Sequence, residues 1–215
     1  MSLTYYFHPL SSYCQKVLIA LYENDTPFTP RIVNLMDEQE RAEFRKLWPV
    51  GKFPVLRDEA NDLTLPESTI IIEYLGNHYP GRSELIPRDA DAATRTRLHD
   101  RFYDLHVHDH MQKIVGDRLR PADKKDLLGV AQAKEKLDTA YRIIDQQMAS
   151  KTWSAGESYS MADCAASPAL FYANLVHPFA TYENLSAYFG RLSARPSFAR
   201  CVTEAKPYFH MFPKG

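Results

Sequence analysis

The segment Val50-Gly51-Lys52-Phe53-Pro54-Val55-Leu56 is followed, after a polar turn, by Pro66-Glu67-Ser68-Thr69 and an apolar helical run. No other feature constrains the fold of this chain as strongly. Pro54 stands just ahead of a strand-forming stretch, where its ring removes an N–H and lowers the cost of a cis peptide. A proline fixed there is expected to leave the N–H and C=O of Val55 free to pair with an extended peptide. Glu67-Ser68-Thr69 reads as a polar helix start, where unpartnered N–H groups and the positive dipole end favour a carboxylate. One element offers extended backbone and the other an anion site. Together they suit a small, acidic, peptide-like ligand.

Hydrophobic periodicity divides the chain into two domains, 1–78 and 91–215, joined by a linker over 79–90. In the first, Thr4-Tyr5-Tyr6-Phe7 is a strand signal, and residues 12–22 carry Val17, Leu18 and Leu21 at helical spacing. A second strand is expected over 28–35 and a short charged helix over 37–47, which Pro49 prevents from continuing. Val55-Leu56-Arg57 and Leu63-Thr64-Leu65 bracket the turn of a hairpin, and a helix over 68–77 closes the domain. Beyond Tyr79-Pro80-Gly81 strand signals largely vanish. One long helix is expected over 92–115 and another over 124–149, with Pro121 between them, then shorter helices over 161–174, 184–193 and 196–205. Ser160-Met161-Ala162-Asp163 fits an S-x-x-D capping box, with Tyr159 and Cys164 placed for the accompanying hydrophobic staple.

Composition narrows the partners. The chain has 215 residues, a net charge of −1 and 25% charged residues, so nothing in its electrostatics calls for nucleic acid or an anionic membrane. Three cysteines (Cys14, Cys164, Cys201) in this length do not make a disulfide framework. The N-terminal residues show no basic region, long apolar run or cleavage site, and a cytoplasmic location is expected.

Between the first strand and first helix lies His8-Pro9-Leu10-Ser11-Ser12-Tyr13-Cys14. The order βαβ-α-ββα with a proline before the third strand is that of a thioredoxin-like domain, in which this turn holds C-x-x-C at a helix N-terminus. Here the four positions read Ser11-Ser12-Tyr13-Cys14, so a self-contained dithiol cycle is unavailable and the thiol must come from the ligand.

These motifs, with G-K-x-P-V-L and the Glu67-Ser68 pair, resemble the cytosolic-type glutathione S-transferases. The resemblance is to the serine-type, theta-, zeta- and phi-like members, bacterial ones included, and covers essentially the whole chain. It implies a thioredoxin-like glutathione-binding domain, an all-α C-terminal domain and a homodimer. The implied activity is attack of the glutathione thiolate on a small hydrophobic electrophile in detoxification, with glutathione as co-substrate and no metal. Ser11 occupies the position of the serine that hydrogen-bonds the glutathione sulfur; Ser12 and Tyr6 are the alternative donors. Lys52 is placed to pair with the glycyl carboxylate, and Phe53, cis Pro54 and Val55 to form the backbone edge. Glu67 and Ser68 would hold the γ-glutamyl amine and carboxylate. Trp48 departs from the asparagine that relatives often carry before the proline.

A serine hydroxyl cannot act as a base here, but it can donate a hydrogen bond that strengthens as sulfur becomes negative. A free thiol has a pKa of about 8.5, and lowering it by one to two units takes only about 1.4 to 2.7 kcal/mol of differential interaction.

The run His106-Val107-His108-Asp109-His110 looks metal-like, since His106 and His110 share a helical face with His99 and Tyr103. No third ligand stands at helical spacing, because Lys113 occupies the next turn, so this helix is expected to line the second-substrate cleft or a dimer contact. Tyr103 and Met111 are its candidates for the electrophile side. The aromatic tail (Tyr208, Phe209, Met211, Phe212) either straps the domain or closes over that pocket. Rival readings are glutathione-dependent isomerisation or disulfide reduction on the same fold, or a non-catalytic interaction protein resembling the stringent starvation proteins.

Overall fold

The structure, a computed structural model, describes residues 2–213; Met1, Lys214 and Gly215, the extreme ends of the two expected domains, lie outside the described residues. The first half runs β1 (Leu3–Phe7), α1 (Ser12–Glu23), β2 (Thr29–Ile32), α2 (Glu38–Leu47), β3 (Val55–Asp58), β4 (Leu63–Pro66) and α3 (Ser68–His78). Its four strands lie in the order β2-β1-β3-β4, with β1 parallel to β2 and antiparallel to β3, and β3 antiparallel to β4. Alternation in β1 sends Leu3, Tyr5 and Phe7 into the core. Pro30 sits in β2, an edge strand, where a missing N–H is tolerated. The strand expected over 28–35 is thus only its middle, Thr29–Ile32.

The second half is helical: α4 (Ala90–Phe102), a π-helical stretch (Tyr103–His108), α5 (Asp109–Arg118), α6 (Leu127–Met148), α7 (Met161–Val176), α8 (Glu183–Ser193) and α9 (Pro196–Ala205). Short 3₁₀ turns cover Ala122–Lys124 and Lys206–Met211. A thioredoxin-like sheet domain followed by an all-α domain is therefore the architecture of the chain.

The single α-helix expected over 92–115 needs correcting. The run is helical, but its middle six residues are π-helical. A wider turn adds residues without adding the usual 3.6-residue rotation, so every face downstream is reset.

The two halves share a core. Val17, Leu18 and Leu21 of α1 lie in one apolar cluster with Met161 and Cys164 of α7 and Phe198 and Cys201 of α9. This explains why α1 is buried on nearly all sides, including its polar residues Ser12, Gln15 and Lys16. The Ser160–Asp163 capping box starts α7, where the Asp163 carboxylate accepts from Ser160 N–H (2.9 Å), Ser154 N–H (2.9 Å) and the Tyr188 hydroxyl (2.6 Å). No helix among the described residues is long and apolar enough to cross a membrane.

Candidate active site

A cleft of about 1010 Å³ opens where the start of α1, the loop before β3 and the start of α3 face α4, the π-helical stretch, α5 and the C-terminal tail. From the first half it is lined by Ser11, Ser12, Tyr13, Trp48, Lys52, Phe53, Pro54, Glu67 and Ser68. Most residues singled out in the sequence therefore meet on one wall.

Ser11 is the N-cap of α1, and its Oγ accepts from the Cys14 N–H at 3.3 Å. That contact uses a lone pair and leaves the hydroxyl proton free to donate into the cleft. Ser12, the next residue, is buried, and its Oγ lies 2.5 Å from Nε2 of His108. Tyr6, the third candidate donor, points elsewhere: it packs on Phe44, with ring centroids 6.3 Å apart, and is not among the cleft residues. Cys14 is fully buried, and burial pushes its thiol up to about 12.

The Phe53–Pro54 peptide is cis. Here the expectation for Val55 is corrected. Val55 is in register with Tyr6 of β1 on one side and Pro66 of β4 on the other, is 0% exposed, and does not line the cleft. A strand inside a sheet has no free edge. Phe53, on the other side of the proline, does line the cleft, and its N–H and C=O have no hydrogen-bond partner among the described residues. Unpaired backbone is thus offered two residues earlier than expected.

Glu67 takes a positive φ of 69° at the N-cap of α3, exposed and without a side-chain cap bond. Ser68 follows it, buried at the first turn of α3. A non-glycine residue held at positive φ is strained, and such strain collects at functional sites. Lys52 is exposed, and its ammonium makes no salt bridge among the described residues. These positions put a cation, an unpaired backbone segment, a carboxylate and a helix start along one wall.

The opposite wall comes from the second half. Met111 lines it as expected, whereas Tyr103 does not. Tyr103 is 1% exposed in the helical core, where its hydroxyl meets Ser154 Oγ at 3.3 Å, and this corrects its assignment to the electrophile side. The π-helical stretch turns His108, rather than Tyr103, His106 or His110, into the cleft. Leu10, Leu105, Val115, Tyr172, Met211 and Phe212 complete an apolar end. The tail therefore does both things considered for it: Phe212 stacks on Tyr172 (5.6 Å) and also faces the cleft.

A buried charged cluster adjoins this wall, and nothing local in the sequence marks it. Lys16 of α1, 1% exposed, places Nζ 2.6 Å from Asp100 of α4 and 2.8 Å from Asp104, and donates to Thr69 of α3 at 2.9 Å. Arg101 bonds Asp100 and Asp104 from the cleft side. A lysine amid Val17 and Leu18 carries no local sign of these partners, of which Thr69 lies 53 residues away and Asp104 88. Burial raises the Asp104 carboxyl above its ordinary range despite the Lys16 ammonium. Among the described residues, no group of three or more His, Cys, Asp or Glu side chains could hold a metal ion.

Comparison with known proteins places these observations. The family model described as "Glutathione S-transferase, N-terminal domain" matches residues 6–83, and "Glutathione S-transferase, C-terminal domain" matches residues 102–196. The chain is 26% identical over 196 residues to glutathione S-transferase GstB of Escherichia coli, covering 89% of this chain and 93% of that one. It is 28% identical over 216 residues to a probable maleylacetoacetate isomerase of Vibrio cholerae, covering 96% and 98%. The crystal structure of a glutathione S-transferase from Methylobacillus flagellatus with glutathione bound is 27% identical, with a TM-score of 0.84 over 93% of this chain and 98% of the other.

Proposed function

Because the chain belongs to the glutathione S-transferase family, we propose that it binds glutathione along the first-domain wall of the cleft and activates the thiol for attack on a small hydrophobic electrophile. The observation that carries this reading is that Ser11, with its free hydroxyl proton, shares one cleft with the unpartnered Phe53 backbone and the start of α3. Phe53 would pair with the cysteinyl residue as a β-strand edge pairs with an added strand. Lys52 would take the glycyl carboxylate. Ser68 and the first N–H groups of α3 would take the γ-glutamyl carboxylate, and Glu67 the amine.

Ser11 then donates to the sulfur. The bond gains strength as charge develops, so it favours the thiolate over the thiol, and the N-terminus of α1 adds to it. The apolar end formed by Leu10, Met111, Tyr172 and Phe212 would hold the electrophile within reach of that sulfur. Homodimer formation would cover exposed apolar residues of the second half such as Leu98, which is 64% exposed.

The test is calorimetric titration of glutathione into wild type and Ser11→Ala, with thiolate absorbance followed against pH. Both proteins should bind, while the bound thiol in Ser11→Ala should ionise about one to two pH units higher. An unchanged ionisation curve would remove Ser11 from this role, and absence of glutathione binding by wild type would end the catalytic reading. The full-length similarity to a probable isomerase keeps a second reaction open on the same site. Turnover of a cis-enone acid without consumption of glutathione would identify it.

A further inference from the structure

Ser12 and His108 form a polar pair beside the thiol position that the serine-donor mechanism leaves unused. Ser12 is the first residue of α1, adjacent to Ser11, and His108 ends the π-helical stretch of the other domain. Both are buried, both line the cleft, and Ser12 Oγ lies 2.5 Å from His108 Nε2. The other ring nitrogen, Nδ1, is buried with no hydrogen-bond partner among the described residues. Its nearest acidic neighbour is Asp109, at 3.9 Å. That is too far for a hydrogen bond.

We propose that the Ser12–His108 pair is the acceptor for the proton that the glutathione thiol gives up. The inference rests on the binding reading above and adds the fate of the proton to it. When the S–H bond breaks, its proton passes to Ser12 Oγ as the Ser12 hydroxyl proton passes to His108 Nε2. Thiolate and imidazolium are the products, and no electrons change hands. After the thioether has formed and left, the imidazolium releases the proton to solvent and the neutral ring returns. Ser12 is thus a relay and His108 a positioning residue that acts through it.

Two features distinguish this from a plain clamp between domains. A clamp needs only the Ser12–Nε2 bond, whereas here Nδ1 is left orphaned beside a carboxylate. The Tyr13 ring also covers the imidazole, with centroids 4.1 Å apart, which holds the ring in one orientation toward the cleft. Besides His108, the charged and titratable groups that line the cleft are His8 and Tyr13 before and on α1, Lys52 before β3, Glu67 and Glu73 at and on α3, Arg97, Asp100 and Arg101 on α4, Asp104 and Asp109 flanking His108, and Tyr172 on α7. Helix α6 contributes none to the cleft among the described residues. The contact with His108 holds the Asp109 carboxyl below its usual range.

The experiment counts protons. Glutathione is titrated by calorimetry in buffers of different ionisation enthalpy, which measures protons given to solvent, while ultraviolet absorbance measures thiolate formed. Near neutral pH, wild type should release fewer protons than the thiolate it forms, because His108 keeps them. In His108→Gln, which can still accept from Ser12 but cannot charge, the two counts should become equal, and the thiol should ionise about one pH unit higher. Ser12→Ala, which keeps the imidazole but breaks the path, should behave the same way and decides the matter if His108→Gln melts early. Either variant binding glutathione with the wild-type proton count and ionisation curve would overturn the inference. Wild type failing to bind glutathione would instead overturn the activity reading, and the proton path with it.

Discussion

Lys16→Met tests whether the two domains are joined by charge that one residue neutralises. Lys16 is 1% exposed, with Nζ 2.6 Å from Asp100 and 2.8 Å from Asp104, themselves 0% and 4% exposed. Methionine keeps the length of the side chain and removes the ammonium. Two buried carboxylates then face each other with only the half-exposed Arg101 to oppose them. Breaking a buried pair from one side destabilises by about 3–5 kcal/mol, because an uncompensated charge stays behind. For a protein of this size that is a fall in Tm of roughly 6–20 °C.

The pH dependence carries the sharper test. Burial already raises the Asp104 carboxyl, and Lys16 opposes the rise. An acid whose folded pKa stands above its unfolded value destabilises the fold increasingly as pH climbs from the unfolded to the folded value. Without Lys16 that window widens. The deficit of Lys16→Met relative to wild type should therefore be full near neutral pH and shrink in mild acid. Adding Asp100→Asn and Asp104→Asn should recover most of it, since the stranded charge is gone. Urea denaturation at both pH values measures this. A deficit below about 1 kcal/mol, or one that grows in acid, would refute the account of the buried cluster.

Asp163→Ala strands the Ser154 and Ser160 N–H groups and the Tyr188 hydroxyl, and should cost at least about 3 kcal/mol in urea denaturation without changing glutathione affinity in the protein that remains folded. Glu67→Gly relieves a positive φ of 69°. Strain relief of about 1–3 kcal/mol against a glycine entropy term of about 0.5–1 kcal/mol predicts a more stable protein. Its glutathione affinity should drop roughly tenfold if the carboxylate holds the amine; a variant less stable than wild type would contradict the strain argument. Cys14, with its thiol pushed up to about 12, should resist thiol-modifying reagents near neutral pH. Native labelling within about tenfold of the unfolded rate would show the thiol to be more open than its burial implies.

Local chemistry made much of this protein readable in advance. The Pro54 and Glu67-Ser68 positions, the capping box at Ser160–Asp163 and the switch from strand to helix periodicity after Tyr79 all act within a few residues of themselves. The structure has them as read. Phe53 rather than Val55 is left unpaired, because a proline's neighbours look alike in sequence until a sheet decides which of them lies between strands. Tyr103 departs from its expected place because it packs into the helical core, a long-range contact that helical spacing alone does not show.

The chain's own order of residues thus determined the two-domain architecture, the cis Pro54 and the helix starts at Ser11 and Glu67-Ser68. Each depends on backbone conformation and caps, which are short-range. Tertiary structure alone decided that Lys16 meets Asp100 and Asp104, that Phe53 rather than Val55 is left unpaired, and that His108 reaches Ser12 across the cleft. Those contacts join residues far apart in the chain. Only the packing of α1 against the helical domain, with its low-dielectric interior, makes them close and gives their charges force.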